Sequence, residues 1–153
     1  MKKSFTMIAL ILAAWSSAAA QTVPAPLQAA LLKKIFTFDK ALSGKASVEV
    51  VVIGSADDIV AALKGAGMDA KAGNAVGGDV VYVAAGAPSH KAATAKTSTL
   101  SVSGSSALAE SGQVSVAVGL EDGKPKIYVN LGQLKAEGHE LSADLLKLAK
   151  IIQ

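Results

Sequence analysis

Cysteine and arginine are both absent from this chain of 153 residues, and Trp, Tyr and Phe together make up only 4% of it. Without cysteine there is no thiol nucleophile, no thiolate metal site and no disulfide staple, so redox switching is excluded and the fold must rest on its core. Without arginine the chain lacks the planar fork that reads phosphates and guanines bidentately, and few aromatics remain for base stacking. Nucleic acid is therefore excluded as a partner. Histidine is nearly absent too. His90 and His139 lie far apart, neither has an H-x-x-H or H-x-x-E neighbour, and both are expected at the surface, with no metal and no cofactor. Ser89-His90 lacks a G-x-S-x-G elbow and an orienting acid, so a hydrolase triad is not expected, and the chain reads as a non-enzyme.

The one long apolar run is N-terminal. Lys2 and Lys3 precede Met7 to Trp15, and Ala18-Ala19-Ala20 offers a small-residue cleavage site before Gln21. The run is well short of the ~20 residues that span a bilayer, so residues 1–20 are expected to be a signal peptide and residues 21–153 one exported domain. Loss of Lys2 and Lys3 reduces the formal charge from +3 to +1, which gives no electrostatic case for a polyanion partner.

After Val23-Pro24-Ala25-Pro26, a helix is expected over Leu27 to Leu42, with Leu27, Leu31, Ile35, Phe38 and Leu42 on its core face. Leu32 and Phe36 fall off that stripe, as a widened core contact or as a surface kept for a partner. A reserved apolar helix face would equally suit a homodimer. Val48 to Ile53 is a short, β-branched run that reads as a strand covered on both faces, followed by a helix from Asp57 to about Lys64. Further strands are expected at Met68 to Ala72, Asp79 to Ala84 and Thr99 to Ser103, with helices at Ser89 to Lys96 and Ala107 to Glu110. Alternation through Val114 to Leu120 and Ile127 to Leu131, broken at Asp122-Gly123, marks a hairpin. Ser142 caps a last helix that carries Leu141, Leu145, Leu148 and Ile152 on one stripe, with Leu141 and Leu146 placed as a staple. The fold class is α/β: a three-layer sandwich with a mostly parallel sheet, a C-terminal antiparallel hairpin and flanking helices.

Candidate chemistry is sparse. The acid pairs Asp57-Asp58 and Glu121-Asp122 sit at a helix start and a turn, where acids are expected anyway. The glycine-rich stretch from Gly73 to Gly78 precedes a strand, so it reads as a loop and not a phosphate cradle. In a doubly wound sheet, ligands dock beyond the carboxyl ends of the parallel strands. Those ends carry Gly54, Ser55, Ser89, Ser103, Gly104 and Ser105, either as ordinary turns and caps or as a site for a small anion or carboxylate.

The C-terminal third carries a specific likeness. Lys126-Ile127-Tyr128-Val129-Asn130-Leu131, followed by Leu141-Ser142-Ala143-Asp144-Leu145-Leu146-Lys147-Leu148-Ala149-Lys150, resembles the YfiR-like family of bacterial periplasmic proteins. Members of that family tend to close with an "INL" strand and an "L-x-S-x-x-L-L-x-L-A" helix. The resemblance implies an α/β sandwich in the periplasm that regulates an inner-membrane signalling protein, a diguanylate cyclase or a sensor kinase. In the family's best-known member this lowers cyclic-di-GMP. Leu32 and Phe36 are the residues expected to meet that partner. The chain departs from that member in lacking its cysteines and the Trp-Pro at the end of its first helix.

Overall fold

The computed structural model describes residues 22–153; the expected signal peptide and its cleavage site lie outside the described residues. The order of elements follows from where β-branched runs alternate with breakers. Helix α1 (Ala25–Thr37) opens with proline in its first turn, where the missing N–H costs no hydrogen bond. Strand β1 (Glu49–Ile53) leads through the positive-φ Gly54 into α2 (Asp57–Gly65). Then come β2 (Asp69–Gly73), β3 (Val80–Val83), α3 (Lys91–Thr97), β4 (Leu100–Ser103) and α4 (Ser106–Glu110). A hairpin of β5 (Val116–Glu121) and β6 (Lys124–Asn130) follows, turned by Asp122 at φ 52° and Gly123 at φ 75°. Two positive φ angles match the twist of a two-residue hairpin turn, which is why Asp-Gly serves there. The chain ends in α5 (Leu131–Ala136), α6 (Ala143–Leu148) and β7 (Lys150–Ile152).

Seven strands form one sheet in the order β2-β1-β3-β4-β5-β6-β7, parallel throughout except for the β5–β6 pair. Both faces are buried, and the pleat sorts the side chains: Val50, Val52, Val80 and Tyr82 join one apolar cluster, whereas Val51, Ile53, Val81 and Val83 join the other. Leu32 of α1 and Leu63 of α2 fill the first cluster, and Ala109 of α4 packs into the second. The expected three-layer α/β sandwich with a C-terminal antiparallel hairpin is thus the observed architecture. Among the described residues, no helix is long and apolar enough to cross a membrane.

Helix α5 was not expected from the sequence, and two expected helices differ in extent. Helix α1 stops at Thr37, so Phe38 and Leu42 belong to the turn after it and do not set its buried face. That face instead carries Gln28, Ala29, Leu32, Ile35 and Phe36, while Leu27 is 40% exposed. Leu32 and Phe36 are therefore core residues, with exposures of 0% and 3%, and offer nothing to a partner or a second copy. The C-terminal helix also ends early, because Ala149 turns extended at ψ 153° and Lys150 to Ile152 pair parallel to Tyr128 to Asn130. The open edge of β6 recruits those residues, with their two isoleucines, into the sheet.

Candidate functional site

From β1 the chain winds one way to β2, and from β3 it winds the other way to β4 and β5, so the carboxyl ends of β1 and β3 open onto a crevice between diverging connections. Two cavities of about 480 Å³ each lie there and share Ser55 and Ala85 in their walls. The first is bounded by the chain entering α1 (Thr22 to Ala25), the start of α2 and the β4–α4 turn. The second is bounded by the ends of β1 and β2 and the loop from Ala85 to His90.

The floor of the first cavity is a locked polar network. Tyr82 at the end of β3 donates its phenol to Gln28 Oε1 at 2.7 Å, and Gln28 Nε2 donates to the carbonyl of Val23 at 2.7 Å. Both side chains are buried, so an unpaired amide or hydroxyl here would be costly, and the pair pins the N-terminal strap to the sheet. Burial, with the charge of Asp58 nearby, pushes the Tyr82 phenol up to about 12, so it stays a neutral donor. Gly104 is required beside it, since a Cβ there would come within 2.5 Å of the Tyr82 oxygen.

The strand-end residues named from sequence divide. Gly54 lines the second cavity, Ser55 lines both, and Gly104 and Ser105 line the first. Ser105 precedes α4, but its hydroxyl makes no capping bond. Ser103 cannot meet a ligand: it is fully buried, its Oγ donates to the Val83 carbonyl at 2.6 Å and accepts from the Ser105 N–H at 3.1 Å. Ser89 is exposed and stands outside both cavity walls. Gln28, Asp58, Tyr82 and Ser106 also line the crevice, and sequence reasoning missed them. Only Tyr82 left a signal, as the polar-tipped member of an otherwise aliphatic strand.

A second feature lies around the end of α5. His139 is buried, not at the surface as its isolation in sequence suggested. Its Nδ1 meets Asp39 Oδ2 at 2.8 Å and its Nε2 meets the Ser98 carbonyl at 2.9 Å. Glu137, fully buried two residues away, accepts from the hydroxyls of Ser101 and Ser115 and from the Ser101 N–H at 3.0 Å. Beside this cluster, Leu131, Leu134, Leu141 and Leu146 line an apolar groove of about 640 Å³ that also reaches His139 and Gln153. Leu148 and Ile151 on the same α6–β7 segment are 71% and 37% exposed.

Residues 27–150 match the YfiR/HmsC-like family. The chain belongs to that family. No curated protein matches it. In this YfiR/HmsC-like chain the quoted closing motifs have physical roles. Asn130 caps α5 by accepting from the Gln133 N–H at 3.0 Å and ties down α4 by donating to the Ala109 carbonyl at 2.9 Å. Ser142 caps α6 by accepting from the Leu145 N–H at 3.4 Å. Among the described residues, no three His, Asp or Glu side chains cluster so as to hold a metal ion.

Proposed function

We propose that the protein is a periplasmic regulator that binds the periplasmic part of an inner-membrane signalling protein, a diguanylate cyclase ahead of a sensor kinase. The observation that carries this reading is the family match across residues 27–150, together with the regulatory role that the sequence resemblance implies. The geometry supplies a surface suited to it. Helix α1 buries Leu32, Ile35 and Phe36, so the docking surface moves to the C-terminal α6–β7 segment, where Leu148 and Ile151 are exposed and β7 leaves one sheet edge unpaired. A partner that covers a large aliphatic side chain gains up to about 1.5–3 kcal/mol for each one fully buried. The open strand edge adds backbone donors and acceptors for strand addition.

Deleting the gene and measuring cyclic-di-GMP tests the cyclase reading: the level should rise, and site-specific crosslinking from Leu148 should trap a membrane protein with a cytoplasmic cyclase domain. An unchanged level with no such crosslink removes it. Trapping a sensor kinase instead would move the reading to that partner. Ligand binding in the strand-end crevice is a second reading, favoured by the cavities themselves.

A further inference from the structure

The strand-end crevice has a charge pattern that helix-end geometry alone does not suggest. Free amides at a helix N-terminus favour anions, and α2 starts in the wall of the first cavity. Its first turn, however, carries Asp57 and Asp58, whose negative charge opposes that attraction. Among the described residues, Asp58 is the only charged side chain in the wall of the first cavity, and no lysine lines either cavity. One oxygen of Asp58 accepts from the Ile59 N–H at 2.9 Å, which leaves the other for a ligand. Ser55, Ser105 and Ser106 add hydroxyl-bearing side chains to the same wall, and Val23, Ile59, Ala107 and Leu120 supply apolar surface. Asp58 is exposed, and a carboxylate or phosphate entering this space would meet its like charge with no lysine in the cavity wall to offset it.

We infer that the cavity between the N-terminal strap, the start of α2 and the β4–α4 turn binds a small organic monoamine, its ammonium on Asp58 and its apolar body against the Ile59–Leu120 wall. The volume of about 480 Å³ falls in the range of small-molecule sites. A single acid in the wall sets the ligand's charge at one, since a second ammonium would find no carboxylate there to pair with. The locked Gln28–Tyr82 floor makes the site preformed, so little ordering cost falls on binding. This goes beyond the docking reading and is independent of it: loss of cyclase control with amine binding intact would remove only the former.

The test compares two molecules of one shape and opposite charge, cyclohexylmethylamine and cyclohexanecarboxylate, titrated into the exported mature protein and followed by amide chemical shifts. The amine should bind in the millimolar range or tighter and shift Ser55, Gly104 and Ser105, and the carboxylate should bind at least about tenfold more weakly. Asp58→Asn should weaken the amine by about tenfold or more, while Asp57→Asn, which lies outside the cavity wall, should change it less than about twofold. The inference fails if the amine does not bind at millimolar concentration, if the carboxylate binds equally well, or if Asp57→Asn matters as much as Asp58→Asn. Circular dichroism of both variants separates loss of binding from loss of fold.

Discussion

His139 presents both ring nitrogens to groups that can only accept: a carboxylate oxygen of Asp39 and the carbonyl of Ser98. A neutral imidazole has one donor, so only the imidazolium satisfies both contacts. The other oxygen of Asp39 accepts from the N–H groups of Ala41 at 2.8 Å and Leu42 at 3.2 Å, which fixes the side chain's orientation toward the ring. Burial pulls the imidazole down, but the Asp39 bond, the Ser98 carbonyl and the charges of Asp39 and Glu137 outweigh it and hold the group above its usual 6.5. Replacing one member of such a pair leaves the other buried and uncompensated. His139→Leu should therefore cost about 3 kcal/mol in urea unfolding near pH 6. Glu137→Gln removes one of the charges that hold the proton, so it should lower the imidazole pKa in an NMR titration. An unchanged or higher value would show that the Glu137 carboxylate does not act on the ring. None of this was legible in the sequence. His139 and Asp39 lie 100 residues apart and meet only because the turn after α1 bridges Asp39 to Leu141.

Among the elements, α5 illustrates how a polar side chain can position two helices at once. Asn130→Ala removes both the α5 cap and the bond that anchors α4, and should cost about 2 kcal/mol by chemical denaturation. Asn130→Asp retains an acceptor for the cap but loses the donor to Ala109, so it should recover part of that loss at most. The strands were readable in the sequence because Val-rich runs bounded by glycine have few other ways to bury both faces. The hairpin was readable because Asp122-Gly123 suits only a few turns. Helix α5 and strand β7 were not readable. Leu145, Leu148 and Ile152 share helical spacing, and nothing local announces that Ala149 turns extended; the free edge of β6 decides it. The face of α1 was misassigned because the buried stripe includes Gln28, a polar residue whose place depends on Tyr82, 54 residues away. At the crevice, Gly54, Ser55, Gly104 and Ser105 followed from the rule for doubly wound sheets, but the rule could not tell that Ser103 turns inward to the Val83 carbonyl.

At the scale of the molecule, the buried titratable groups set an unusual dependence of stability on pH. Glu137 is held above its ordinary 4.5 chiefly by burial, which outweighs its bonds to Ser101 and Ser115 and the nearby His139. His139 is held above 6.5, so both groups bind protons in the folded state that the unfolded chain has already released. Such groups contribute stability that is fully present below the unfolded pKa and is lost as pH rises through the folded pKa. The Glu137 contribution therefore declines upward from pH 4.5, and that of His139 declines from pH 6.5. Asp79 acts in the other direction. Its bond from Lys45 and the Glu49 N–H overcome the opposing effect of burial and hold it below 3.8, so its contribution falls away only in stronger acid. Lys71 and Lys150, raised by Glu49 and Glu121, are surface groups whose pairs are screened by solvent and whose loss comes only at alkaline pH. The midpoint of urea unfolding should accordingly be higher near pH 5.5 than near pH 8.5, with the slope of the transition unchanged. His139→Leu should flatten the decline above neutrality, leaving mainly the part due to Glu137. A wild-type midpoint that rises between pH 5.5 and 8.5 would mean that the protons assigned to this cluster are not held there in the folded state.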